Sequence, residues 1–241
     1  MKCLCGQMYE ALGFQEPFSS WTHLLAAGVF AAFSVPLIRR GRTTGHRVGL
    51  GVFAFSAVFL LSMSGVYHLL GYGGGGRAVL ERLDHAAIFV LIAGTFTPIH
   101  MVLFRGIMRW GMLGVIWAAA VTGLTLKTIF FDSVSETMSL SFYLGLGWAG
   151  LISGLFLWKR FGFGFIRLLL VGAMFYSIGA VLELARWPVL ITGVIEAHEL
   201  FHLAVLVGLG CHWQFVRHCL RRHAADMPIH QEPEAETDQA F

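Results

Sequence analysis

Long apolar runs dominate this chain, separated by short polar gaps. They fall at residues 21–38, 48–70, 84–104, 110–131, 138–158, 164–182 and 193–216. A helix needs about 20 mostly apolar residues to cross the hydrocarbon core of a bilayer. Each run is near that length, so the pattern predicts an all-α fold, an integral membrane bundle of seven transmembrane helices. Short gaps make sequential helices antiparallel neighbours. Glycine recurs inside the runs, and small residues let helices approach closely in lipid. The stretch from Gly71 to Gly76 reads as a flexible loop and lacks the Lys-Ser/Thr partner of a phosphate-binding loop. The chain divides into a short polar N-terminal segment at 1–20, a membrane domain at 21–216 and a polar C-terminal tail at 217–241. Glu232, Glu234, Glu236 and Asp238 make the tail acidic, and a solvated, disordered segment is expected there.

Composition sharpens this picture. The 241 residues are 56% hydrophobic and 13% charged, with a mean hydropathy of +0.70. Soluble domains carry about 25% charged residues, so the apolar surplus faces lipid, and membrane lipids are the partners it implies. No Lys/Arg patch is interleaved with exposed aromatics, which argues against nucleic acid. No pattern specifies an oligomeric state. The first 20 residues lack the charged start and apolar run of a cleavable signal peptide, leaving the first span as the insertion signal. Cys3, Cys5, Cys211 and Cys219 match no zinc-ribbon spacing and read as ordinary thiols.

Seven spans put the two termini on opposite sides. The N-terminal side collects Lys2, Arg77, Arg82, Lys127 and Arg186. The other side collects Arg39, Arg40, Arg42, Arg47, Arg105, Arg109, Lys159, Arg160, Arg167, Arg217, Arg221 and Arg222. Basic loops stay in the cytoplasm, so the C-terminus is expected inside and the N-terminus outside.

Ionisable groups in spanning helices are costly and mark function. The last span opens with His198-Glu199-Leu200-Phe201-His202. Histidines at i and i+4 share a helix face, so both imidazoles can reach one metal ion. The second span ends with Ser64 and His68, again four apart, where a hydroxyl can support a metal ligand or its water. Asp84, at the expected start of the third span, either accepts a hydrogen bond from water at the metal or caps its helix. His23, near the start of the first span, reads as an interfacial residue. His68, Asp84, His198 and His202 all fall on one side of the membrane, where three histidines with an open position would make a catalytic-type zinc site.

Taken together, Glu16-Pro17, Ser64-x-x-x-His68, Leu83-Asp84-His85, Thr97-Pro98 and His198-x-x-x-His202 resemble the haemolysin III family, bacterial relatives of the progestin and adiponectin receptors. The resemblance spans roughly residues 14–216. It implies a seven-helix bundle in a bacterial inner membrane, with zinc as cofactor held by His68, His198 and His202. It also implies that Asp84 holds the water at the metal and that Ser64 lies beside it. The receptors are similar to ceramide-type amide hydrolases, which makes a zinc-dependent lipid amidase the first functional expectation. The receptors have a cytoplasmic N-terminus, whereas the Lys/Arg distribution here implies the opposite orientation.

Two other readings compete. His198-Glu199-x-x-His202 fits the H-E-x-x-H pattern of metalloproteases, with Glu199 as base, but only an acidic tail follows it to supply a third ligand. A receptor, regulator or cytolysin would instead use zinc structurally, to pin the second and seventh spans together. Few polar stripes run along the helices, which disfavours an aqueous pore.

Overall fold

The computed structural model describes residues 16–225. They form eight helices: α1 (Pro17–Arg39), α2 (Thr44–Leu69), α3 (Gly75–Leu103), α4 (Gly106–Ile129), α5 (Glu136–Trp148), α6 (Gly150–Phe161), α7 (Phe163–Ala185) and α8 (Ala197–Ala225). α5 and α6 meet at Ala149 and together make one span, so seven membrane-length apolar helices result. Among the described residues there is no strand, only an isolated bridge between Ile191 and Ile195 in the α7–α8 loop. In lipid, backbone polar groups must be satisfied within the segment, and helices do this.

Local chemistry sets the helix ends. Pro17 stands in the first turn of α1, where its missing N–H costs nothing. The side chains of Thr43 and Ser135 accept from the backbone N–H groups of His46 and Met138, capping α2 and α5. Gly162, with φ at +81°, makes the turn between α6 and α7, a conformation glycine adopts freely.

Sequential helices pack as antiparallel neighbours, and α8 returns to touch α1 and α3, closing the bundle. α3 is the most enclosed span, whereas α1, α4 and α7 turn much of their surface outward. Leu50, Phe53, Leu61, Leu209 and Phe215 anchor one core. Phe89, Phe96, Ile116 and Tyr143 anchor a second. Large apolar side chains such as Leu25, Phe55, Val115 and Val181 point outward, as a hydrocarbon solvent requires.

Three boundaries differ from the sequence expectation. α3 starts at Gly75, before the expected 84, because Arg77 and Arg82 lie in its first turns on the polar side of the apolar run. Asp84 is therefore the tenth residue of α3 and caps nothing. α8 continues to Ala225, so residues 217–225 of the expected tail are helical. Arginine favours helix, and its long stem lets the charge reach water from a helix end in the membrane. α1 begins at Pro17, so the last four residues of the expected N-terminal segment are helical. Cys3, Cys5 and the acidic residues after 225 lie outside the described residues.

Close helix contact depends on glycine at particular positions. A Cβ placed on Gly94 of α3 would lie 2.7 Å from Cβ of Ser56 in α2, whereas one on Gly114 of α4 would meet nothing within 4 Å. Gly94→Ala should therefore lower stability by about 1–3 kcal/mol, the usual cost of overpacking. Gly114→Ala should lose none. Thermal unfolding of the two variants in detergent checks the contrast.

Candidate metal centre

His68 is the penultimate residue of α2, and His198 and His202 occupy the first two turns of α8. Antiparallel topology brings these two helix ends to the same side. One ring nitrogen from each of the three histidines lies within 4.8 Å of the others. His68 and His202 are buried and His198 is partly so. The ring centroids are 4.5 to 5.1 Å apart.

Two carboxylates brace the cluster from behind. Nδ1 of His68 donates to Glu16 through a short hydrogen bond. Nδ1 of His198 donates to Glu183, at the end of α7, at 3.3 Å. A carboxylate only accepts, so both rings carry a proton on Nδ1, and Nε2 presents a lone pair when the ring is neutral. Those two Nε2 atoms face each other at 3.5 Å. Two lone pairs in that position repel unless a cation or proton sits between them. Nδ1 of His202 is buried without a hydrogen-bond partner among the described residues. The donor set thus fits a metal ion that prefers imidazole nitrogen.

Glu16 is itself held tightly. It accepts from Arg77 at 2.7 Å and from the Tyr72 hydroxyl at 3.0 Å. Its backbone N–H donates to the His68 carbonyl at 3.1 Å. Arg77 stacks over Tyr67 and Tyr72, 4.4 and 4.3 Å from their ring centres. Burial pushes the Glu16 carboxyl up, but the hydrogen bonds from His68 and Arg77 outweigh it and hold its pKa at about 2. Glu16 is an anion at any ordinary pH.

The remaining sequence candidates fall into place unevenly. Ser64 is buried one turn before His68 on α2. Asp84 is half-buried on α3 and makes no hydrogen bond or ion pair with the cluster among the described residues. His85 turns away and bonds the carbonyl of Glu81. Glu199 accepts from the Ser19 hydroxyl at 3.2 Å and from the Glu196 backbone N–H at 3.0 Å. Both its oxygens are engaged in closing the start of α8, which removes the base that a metalloprotease reading needs.

Three site residues escaped the sequence reading of roles. Glu16 stood there only as part of a motif. Glu183 fell one residue past the expected end of its span, although a buried acid in an apolar helix is the signal that marks such a group. His23, expected only as an interfacial residue, is buried and stacks on His202 with centroids 4.2 Å apart. Neither of its ring nitrogens has a hydrogen-bond partner among the described residues.

An apolar cavity of ≈ 370 Å³ runs between α3, α5, α6, α7 and α8, lined by residues including Leu91, Phe96, Leu144 and Trp148. Phe201 lines its wall and also packs 6.0 Å from His202 and 6.5 Å from His198. It stands between the cavity and the cluster.

The sequence pattern of a family described as haemolysin-III related matches residues 13–213. Hemolysin-3 of Bacillus cereus is 31% identical over 189 residues, covering 75% of this chain and 82% of its own length. The Hemolysin-3 homolog of Bacillus subtilis (strain 168) is 31% identical over 161 residues, covering 67% of this chain and 72% of its own. The heptahelical transmembrane protein ADIPOR2 of Oryza sativa subsp. japonica is 29% identical over 177 residues, covering 67% of this chain and 77% of its own.

The bracing carboxylates generate a direct test. Loss of a group that orients a metal-binding histidine typically weakens metal affinity about 10–100-fold. Glu16→Gln and Glu183→Gln should each do so in a metal titration of the detergent-solubilised protein. Glu199→Gln should leave metal affinity unchanged, since its carboxylate faces Ser19 and the start of α8.

Proposed function

Because this chain belongs to the haemolysin-III-related family, we propose that it is a zinc-dependent hydrolase of lipid amides, working in a bacterial plasma membrane. The observation that carries this reading is the carboxylate-braced trio of imidazoles beside an apolar cavity. Three imidazoles with a fourth position open are the ligand set of catalytic zinc. When bound, zinc supplies a Lewis acid that polarises a carbonyl and renders water nucleophilic near neutral pH.

The chain's own residues supply the rest. Glu16 and Glu183 fix the tautomer of His68 and His198 and keep their lone pairs turned inward. Asp84 accepts the proton from attacking water, and Ser64 helps orient that water. Catalytic contacts commonly tighten only once substrate is bound, which accommodates the separation of Asp84 from the cluster. The cavity receives the acyl chain and excludes water, with Phe201 guiding the amide end toward the histidines. The twelve-residue basic face lies in the cytoplasm, so the N-terminus and the cluster face outward.

One observation favours a second reading, a receptor, regulator or cytolysin with a structural metal. All three ligands come from α2 and α8, so an ion there ties those two helices together whether or not chemistry follows.

Metal analysis of the protein purified in mild detergent should find about one zinc per chain, as a three-histidine site predicts. The zinc should disappear in His202→Ala. Asp84→Asn should keep the metal and lower turnover of long-chain amides such as ceramides about 10²–10⁴-fold, the usual contribution of a general base. Unaltered turnover removes Asp84 from the mechanism. Bound zinc with no turnover of any such amide by the wild type gives the structural reading the lead.

A further inference from the structure

At the end of the bundle opposite the histidines, a second groove of ≈ 350 Å³ opens along the seam of α7 and α8. It is lined by Leu168, Gln214, Arg217, His218, Arg221 and Arg222. We propose that this groove binds the phosphate of an anionic phospholipid headgroup.

The charge distribution is the first argument. Every acidic residue among those described (Glu16, Glu81, Asp84, Asp132, Glu136, Glu183, Glu196 and Glu199) sits on the histidine side of the bundle or in the turns of helix leading from it. The groove's face carries arginines from α1, α2, α4, α6, α7 and α8. Arg217 donates to the Gln214 side chain at 3.0 Å. Planar guanidinium groups match phosphate oxygens two at a time.

The second argument is the shape of the surface the groove belongs to. Val207, Cys211, Gln214, His218 and Arg221 follow one face of α8 at helical spacing. That face turns from apolar to basic along its length, with Val207 exposed toward the middle of the span and Arg221 exposed at its end. On α7, Val171 and Phe175 continue outward-facing and apolar below Leu168. A phosphate in the groove therefore has acyl-compatible surface directly beneath it. A free phosphate would leave that surface unused, whereas a phospholipid covers both parts. Basic pockets between spanning helices at the membrane surface have this recognition chemistry.

The test is thermal unfolding of the full chain in detergent, titrated with phosphatidylglycerol, with phosphatidylcholine of the same acyl chains, and with inorganic phosphate. Phosphatidylglycerol alone should raise the midpoint. Arg217→Gln/Arg221→Gln should weaken its binding roughly 30-fold, from about fivefold per charge removed near a membrane surface. Arg39→Gln/Arg40→Gln, on the same face but outside the groove, should keep the response. Equal response to phosphatidylcholine, a response to inorganic phosphate, or equal loss in both double variants would each overturn the proposal. If the glutamine variant does not fold, Arg217→Lys/Arg221→Lys retains the charge, and native mass spectrometry should then count fewer bound phosphatidylglycerols than in the wild type. An unchanged count overturns the proposal as well.

Discussion

Glu16 sits where the start of α1, the end of α2 and the start of α3 converge, and its carboxylate accepts from His68, Tyr72 and Arg77 together. An unpaired carboxylate buried in a bundle would cost several kcal/mol. Here every partner is a donor, and each comes from a different part of the chain. The same ion that orients His68 therefore holds three helix ends in register. Arg77 extends the hold by donating to the carbonyl of Tyr67, which also accepts the Leu70 N–H, and to the carbonyl of Leu70 just past the end of α2. Removing Glu16 takes the carboxylate from a buried guanidinium and frees the His68 ring, so stability and the geometry of the histidine cluster share one anchor.

The same economy appears at α7 and α8. Glu183 braces His198 from the last turn of α7, and Arg186, just beyond, spans Glu183 and Glu136 at 3.5 and 2.5 Å. The start of α5 is thereby tied to the α7–α8 corner. On this side Glu16 and Glu183 each accept a hydrogen bond from a histidine of the cluster. The other side carries only bases among the described residues, which suits a membrane surface rather than a reaction.

The seven spans were legible in the sequence because lipid imposes one rule on every residue of a crossing helix. His68, His198 and His202 were legible because spacing of four and shared sidedness survive without coordinates. The boundaries were less legible, since hydropathy senses where apolar residues stop and not where the backbone does. Gly75 to Leu83 and Arg217 to Ala225 are helical yet polar. That blind spot hid the nature of Asp84, which looked like a cap only because its helix was expected to begin there. It also hid Glu183, one residue past an expected end. His23 was missed for another reason. A single histidine carries no spacing signal, and only the return of α8 against α1 reveals that its ring stacks on His202.

α8 connects the two ends of the molecule. From His202 to Arg221 it rises about 28 Å at 1.5 Å per residue, close to the roughly 30 Å thickness of the hydrocarbon core. The histidines and the basic groove thus lie at opposite headgroup boundaries. A lipid amide carries its amide at that same boundary, between polar head and acyl chain. In the proposed reaction its carbonyl would meet the cluster at its natural depth, and the chain would not have to leave the apolar phase to be presented. The alternative, a water-soluble substrate, would leave a cavity walled by Leu91, Phe96, Leu144 and Trp148 without a purpose and would have to pass Phe201 to reach it. Depth, cavity and ligand set are thus the three features that support the proposed substrate, one that would arrive from within the membrane.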